Sequence, residues 1–145
     1  MTALRMDNIE IIVEDLEGAI AFFEELGLTL EGKATVEGES VDRLIGLEGV
    51  RSEIAMMKTP DGQGRLELCR FLSPAAVAGT RNAPVNTLGI GRIMFNVSDI
   101  DAVVARLQSR GAELVGEIVQ YENSYRLCYL RGPEGILLAL AESLG

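Results

Sequence analysis

The sequence predicts an α+β fold built from two tandem βαβββ modules. Three observations lead to this prediction: an internal repeat with an offset of 84 residues, the same strand and helix pattern in both copies, and a proline-glycine turn late in each half. The 145 residues suffice for one compact domain, or for two half-domains that share a core. Hydrophobic residues make up 48% and charged residues 24%, which is typical of a folded globular protein.

The repeat aligns residues 8–32 with residues 92–116 without a gap. Its identical pairs are Ile9/Ile93, Val13/Val97, Asp15/Asp99, Ala21/Ala105, Gly27/Gly111, Leu30/Leu114 and Gly32/Gly116. Because these pairs fall at the starts and ends of predicted elements, the two copies are expected to have the same local structure.

Each copy starts with a β-branched run that predicts a strand, at residues 9–13 and at residues 93–97. An acidic N-cap and apolar residues at helical spacing follow, so a helix is predicted next. The caps are Asp15 and the Ser98-Asp99 pair, and Gly27 and Gly111 stand where a left-handed C-cap is expected. A second strand is expected to begin at Leu28 and at Ala112.

Two further strands complete each copy, separated by a turn in which proline presets φ and glycine takes a positive φ. They are predicted at 52–58 and 65–72 around Pro60-Asp61-Gly62, and at 125–130 and 136–141 around Pro133-Glu134-Gly135. The first module then spans residues 1–72, with 37–51 as a loop insert. A linker spans 73–90, and the second module spans 91–145. A helix covers one face of each sheet only, so we expect the other faces to form a shared sheet-lined cavity.

Charge and residue types exclude several classes of function. The net charge of −9 argues against nucleic acid and anionic membranes as partners, because both would repel this surface. The absence of histidine excludes an imidazole base, a histidine-dependent nucleophile and a histidine metal ligand. Cys69 and Cys128 lie in apolar runs and are predicted to be reduced core residues. Since no apolar stretch has the length of a signal or membrane segment, a cytoplasmic location is expected.

The arrangement resembles the vicinal oxygen chelate superfamily, which includes glyoxalases, bleomycin resistance proteins and extradiol dioxygenases. The residues that carry the resemblance are DNIEIIVEDLEGAIAFFEELG, LEGVRSEIAMMKTPDGQGRLELCRF, GRIMFNVSDIDAVVARLQSRGAEL and YRLCYLRGPEGILLALAE. The resemblance implies a small-molecule ligand and a homodimer. Metal-using members have four ligands at positions that correspond here to Asn8, Glu67, Arg92 and Ala139. Only Glu67 is an ordinary ligand, so we expect neither a metal nor another cofactor.

Strand alternation adds neighbours to these positions on the same faces. Glu10 follows Asn8, and Met94 and Asn96 follow Arg92. We therefore name Glu67, Arg92 and Glu10 as candidate catalytic residues. The candidate ligand-binding residues are Asn8, Arg92, Met94, Asn96, Tyr121 and Tyr125.

Each candidate also has a structural alternative. Glu67 and Arg92 form either an anchor for a ligand's oxygen or an internal ion pair that fills the former metal site. Glu10 is either a base with a raised pKa or a solvated carboxylate. The tyrosines at 121, 125 and 129, spaced by four, either stack on a ligand or belong to the core and rim of a strand.

Three functions remain open at this point. The first is a metal-independent protein that binds or sequesters a small molecule. The second is a metal-free isomerase, epimerase or lyase that acts next to a carbonyl, with Glu10 or Glu67 as base and Arg92 as oxyanion stabiliser. The third is a regulatory module with a degenerate pocket.

Overall fold

A computed structural model of the chain describes residues 2–145. The elements, in chain order, are β1 (Ile9–Ile12), α1 (Leu16–Leu26), β2 (Thr29–Glu37), α2 (Glu39–Ile45), β3 (Arg51–Lys58), β4 (Arg65–Ser73), β5 (Ile93–Asn96), α3 (Ile100–Ser109), β6 (Glu113–Leu114), β7 (Val119–Tyr121), β8 (Tyr125–Arg131) and β9 (Leu137–Ser143), with a 3-10 turn at Pro133–Gly135. The predicted α+β class with two repeated modules is confirmed.

The chain divides into two compact units, Met1–Ala78 and Gly79–Gly145, and each unit has its own sheet. The first sheet has the strand order β1-β4-β3-β2, and β1 runs parallel to β4. The second has the order β5-β9-β8-β6, with β7 also paired to β8 and β5 parallel to β9. In both sheets the first strand of the module therefore pairs with the last one.

The predicted N-caps are present in both copies, whereas the C-cap of α3 is Arg110 and the predicted Gly111 follows it with a φ of 93°. The Asp15 carboxylate accepts a hydrogen bond from the Gly18 amide at 2.9 Å, and the Asp99 carboxylate accepts one from the Ala102 amide at 3.2 Å. Gly27 ends α1 with a φ of 120°, a conformation that glycine adopts without a Cβ penalty. The repeat thus sets where α1 and α3 begin and where α1 ends.

Each helix covers one face of its sheet and forms the core there. In the first unit, Phe23 of α1 is fully buried, as is Leu68 of β4, and α1 contacts β3 and β4. In the second unit the corresponding buried residues are Leu107 of α3 and Leu140 of β9. Apolar residues at these alternate strand positions explain why the helix docks on this face rather than on the other.

Two parts of the structure differ from the predicted elements. Residues 37–51, expected to be a loop, include the short helix α2, which buries no side chain. The second strand of the second module is divided into β6 and β7, which both pair with β8. Tyr121 consequently faces Tyr125 across a hairpin instead of preceding it on one continuous strand.

Both cysteines are buried and carry no disulfide, as predicted. None of the helices within residues 2–145 combines the length and the apolar character needed to cross a bilayer.

Candidate functional site

The helix-free face of each sheet, meaning the face opposite its helix, carries the candidate site residues. In the first sheet, alternation places Glu10 of β1, Glu67 and Cys69 of β4, and Ile54 and Met56 of β3 on this face. Their neighbours along the strands, such as Leu66 and Leu68, face α1 and are buried. The sequence therefore predicted correctly that Glu10 and Glu67 share a face.

Glu10 and Glu67 form a carboxyl pair on adjacent strands. They are register partners in the parallel pairing of β1 and β4, so their side chains leave the sheet side by side. Partial burial, a hydrogen bond with Glu67 and the charge of Glu67, in that order, raise the pKa of Glu10 to about 7. The residue keeps substantial solvent exposure, so it is an accessible carboxyl that changes charge near neutral pH.

Cys69 of β4 and Ser52 of β3 lie next to the carboxyl pair, and Cys69 links Glu10 to Ser52 by hydrogen bonds. Burial, followed by the nearby charge of Glu10, raises the pKa of the Cys69 thiol to about 11, and the thiol hydrogen-bonds with both Ser52 and Glu10. A thiol with this pKa stays protonated at neutral pH and is a poor nucleophile. Ser52 is a polar residue with only 2% exposure. Ser52 was not predicted from the sequence, although its alternation with Ile54 and Met56 could have placed it on this face.

A depression of about 300 Å³ lies on the same sheet, where β2 meets β3. Its wall is formed by the side chains of Ala34, Ile54 and Met56 and by Gly32, with Glu31 and Lys33 completing the lining. The missing side chain of Gly32 leaves part of the depression open, since a Cβ built on this residue would meet no atom within 4 Å. The depression is therefore a mainly apolar recess next to the strand that carries Glu67.

A charged cluster closes one end of this face. The Glu31 carboxylate accepts two hydrogen bonds from the Arg65 guanidinium, at 2.9 and 3.1 Å, and Lys58 Nζ lies 3.9 Å from the same carboxylate. The register shift between Leu30 and Gly32 is a β-bulge at Glu31, which redirects this side chain. A bulge has no reliable sequence signal here, so the cluster was not predicted.

On the second sheet, the helix-free face carries Arg92, Met94 and Asn96. The Arg92 guanidinium carbon lies 5.5 Å from the centre of the Tyr129 ring, within the range of a cation–π contact. Asn96 Nδ2 donates a hydrogen bond to Ser143 Oγ at 3.2 Å. Met94 is 44% exposed, so this face presents a thioether, an amide and a guanidinium to solvent.

Tyr121, Tyr125 and Tyr129 also lie on this face. Tyr121 and Tyr125 are register partners in the β7–β8 hairpin, with 60% and 42% of their surfaces exposed. Tyr129 lies four residues further along β8 and is half-buried under Arg92. The spacing of four correctly predicted that Tyr125 and Tyr129 share a face of β8, whereas Tyr121 reaches this face through the hairpin and not along one continuous strand.

The four positions that carry metal ligands in metal-using relatives do not fit a metal ion here. Asn8 precedes β1 and is half-buried, Ala139 has only a methyl group, and the Arg92 guanidinium has no lone pair to donate. Within residues 2–145, His, Cys, Asp and Glu side chains form no group of three that could hold a metal ion.

Comparisons with known proteins agree with the fold and the repeat. The sequence model of the Glyoxalase/Bleomycin resistance protein/Dioxygenase superfamily matches residues 5–140. A crystal structure of a glyoxalase family protein from Bacillus cereus is 63% identical, with a TM-score of 0.97 over 100% of this chain and 97% of that one. The uncharacterised protein YwbC of Bacillus subtilis is 29% identical over 136 residues, which cover 92% of this chain and 93% of YwbC.

A more distant structure has the same fold. FosX, a genomically encoded fosfomycin resistance protein from Listeria monocytogenes, is 15% identical, with a TM-score of 0.60 over 99% of this chain and 95% of that one. Because the family match spans nearly the whole chain, this protein belongs to the Glyoxalase/Bleomycin resistance protein/Dioxygenase superfamily.

Proposed function

We propose that this protein binds or sequesters a small molecule and does so without a metal ion. The observation that supports this proposal best is the apolar recess beside the Glu10–Glu67 carboxyl pair. Ligand sites in proteins combine mostly apolar walls with a few polar groups that orient the ligand. Here Ala34, Ile54 and Met56 supply the wall and the carboxyl pair supplies hydrogen-bond acceptors.

The chemistry of this face favours a ligand with an apolar body and hydrogen-bond donors. The carboxyl pair accepts donors from an amine, amide or hydroxyl, and Glu10 can adjust its charge near neutral pH. Metal independence is supported by the residues at the positions that correspond to metal ligands in metal-using relatives. Two of them, Ala139 and Arg92, carry a methyl group and a guanidinium, which do not coordinate a metal ion.

The proposal includes a cytoplasmic homodimer that does not bind nucleic acid. The net charge of −9 supports the last part, since phosphates would be repelled. Large apolar side chains that are 84% to 99% exposed support the dimer, because a partner copy would bury some of them; they are Leu4, Leu44, Val77, Leu88 and Ile90.

Filling the recess tests the proposal. Gly32→Leu should weaken binding of panel compounds at least tenfold, because the new side chain occupies the recess while its Cβ meets no atom. The panel consists of fragment-sized amines, amides, alcohols and carboxylates together with fosfomycin, measured by ligand-observed NMR. Binding should persist after dialysis against EDTA, with less than one equivalent of Ni, Zn, Fe or Mn per chain by elemental analysis.

The matched control is Gly116→Leu at the equivalent position of the repeat, where a Cβ also meets no atom within 4 Å. It should leave binding of the panel compounds unchanged. Equal loss in both variants, or no binding of any panel compound by the wild-type protein, would contradict the proposal.

A second candidate function is favoured by the carboxyl pair itself. In a metal-free isomerase, epimerase or lyase, Glu10 or Glu67 would remove a proton from the carbon next to a carbonyl. The C–H electron pair would form a double bond between this carbon and the carbonyl carbon, and the π electrons of the C=O bond would move to the oxygen, which gives an enolate. Return of the proton would complete an isomerisation or epimerisation.

Hydrogen–deuterium exchange tests this candidate. In D₂O, wild-type protein should catalyse exchange at the carbon next to the carbonyl of dihydroxyacetone or pyruvate, followed by NMR. Glu10→Gln and Glu67→Gln should each reduce the rate by about 10²-fold or more, the usual contribution of a general base. Exchange rates equal to those of the two variants would rule out this use of the carboxyl pair.

A further inference from the structure

The helix-free face of the second sheet differs in charge from the rest of this acidic chain. Strands β5, β7, β8 and β9 place no carboxylate on this face within the part of the chain that the structure describes. On the remaining strand, β6, Glu113 lies on the same face as Arg131 and is its register partner. The chain as a whole is acidic, with 22 acidic and 13 basic residues. A face whose charged groups are guanidiniums therefore attracts anions although the net charge of the protein is negative.

The two guanidiniums of this face have different surroundings. Arg131 donates to three backbone carbonyls, those of Gly135 at 3.0 Å, Arg81 at 3.5 Å and Ala83. Its donors therefore hold the linker and the 3-10 turn. The Arg92 guanidinium lies over the Tyr129 ring and, within the second unit, donates no hydrogen bond and forms no ion pair. The N–H donors of Arg92 are thus available to a ligand, and the contact with the Tyr129 ring fixes the position of the guanidinium.

Next to Arg92 lies an exposed apolar and aromatic surface. Tyr125 and Tyr129 lie on the same face of β8 with Leu127 between them, and Tyr121 lies opposite Tyr125 across the hairpin. The register partners of Leu127 and Tyr125 on β9 are the small residues Ala141 and Ser143. Because Ala141 is only 5% exposed, a flat group would lie over the exposed rings of Tyr121 and Tyr125 and the partly exposed Leu127 rather than on the strand backbone.

From these contacts we infer that the helix-free face of the second sheet binds a planar aromatic carboxylate. The carboxylate pairs with the Arg92 guanidinium, and the ring system lies against Leu127 and Tyr125. This inference rests on the proposed small-molecule binding function and specifies the ligand class for the second module. Arginine suits the anionic end, because its fork of N–H donors matches the two oxygens of a carboxylate.

The distance along β8 from Tyr129, which lies under Arg92, to Tyr125 also specifies the size of the ligand. Tyr125 and Tyr129 are four residues apart on one strand, which corresponds to about 13 Å. A single benzene ring with its carboxylate on Arg92 stops short of Tyr125, whereas two fused rings come closer to it. We therefore expect 2-naphthoate to bind at least tenfold more tightly than benzoate.

The experiment titrates 2-naphthoate, benzoate and 2-naphthamide into wild-type protein and two variants, with isothermal calorimetry for affinity and amide NMR shifts for location. Arg92→Gln should weaken 2-naphthoate binding at least tenfold and leave 2-naphthamide binding unchanged, because the amide has no negative charge. Arg106→Gln, on the exposed side of α3, is the matched control and should change neither affinity. The shifts caused by 2-naphthoate should fall on β8 and β9.

The outcomes separate this inference from the proposed function. If the fragment panel binds but 2-naphthoate does not, or if 2-naphthoate binds equally to wild type and Arg92→Gln, the ligand class is wrong and small-molecule binding stands. If neither the panel nor 2-naphthoate binds, both are wrong. Equal losses in Arg92→Gln and Arg106→Gln would indicate a general charge effect and would also overturn the inference.

Discussion

Gly135→Ala is expected to lower the free energy of unfolding by about 2–5 kcal/mol, whereas Gly62→Ala should cost only about 1–2 kcal/mol. Both glycines end a Pro-acidic-Gly turn, and both have a positive φ, 81° and 76°. Their surroundings differ. A Cβ on Gly135 would lie 2.0 Å from the carbonyl oxygen of Arg81, while a Cβ on Gly62 would meet no atom within 4 Å.

The φ penalty is common to both variants, so the difference between them measures the close approach of the linker to the turn. Backbone atoms cannot rotate away as a side chain can, so a shift of the linker must accompany Gly135→Ala. Urea denaturation of the two variants and the wild type provides the measurement. If both variants lose the same free energy, residue 81 does not pack on this turn.

Glu10→Gln is expected to become progressively more stable than the wild-type protein as the pH rises from 5 to 8. The pKa of Glu10 is raised from 4.5 to about 7 by burial and by Glu67. Above pH 4.5 the unfolded chain loses this proton while the folded chain keeps it, so wild-type stability falls until the pH passes about 7. Glutamine stays neutral at every pH, so the variant lacks this decline.

The size of the effect follows from the shift and from solvent exposure. One pKa unit corresponds to about 1.4 kcal/mol, and screening at an exposed carboxyl reduces the expected gain to about 1 kcal/mol at pH 8. Thermal melts at half-unit pH steps measure it. Glu48→Gln, an exposed carboxylate in the loop after α2, is the control and should follow the wild-type curve. A Glu10→Gln curve parallel to the wild-type curve would contradict the prediction.

Both predictions begin from features that are visible in the sequence. The two Pro-acidic-Gly turns were recognised from their residues, and Glu10 was placed beside Asn8 by strand alternation. Their different consequences depend on distant parts of the chain. Arg81 approaches one turn and not the other, and Glu67 reaches Glu10 only because β1 pairs with β4.

The candidate site shows the same division. The family resemblance supplied Glu67 and Arg92 as site positions, and alternation with a period of two added Glu10, because side chains on a strand must alternate. It did not reveal that Ser52 and Cys69 hydrogen-bond behind Glu10, since those residues meet through the pairing of β3 with β4. Nor did it reveal the bulge at Glu31, which depends on how β2 closes against β3.

By itself, the sequence determined the class of fold, the repeat and the positions of the caps and turns. These features depend on local conformational preferences and on apolar periodicity, which act over a few residues. Only the tertiary structure decided which partners the site residues have: Glu67 for Glu10, the Tyr129 ring for Arg92 and the linker carbonyls for Arg131. Those contacts join residues far apart in the chain, and strand register, which the folded sheet as a whole establishes, brings them together.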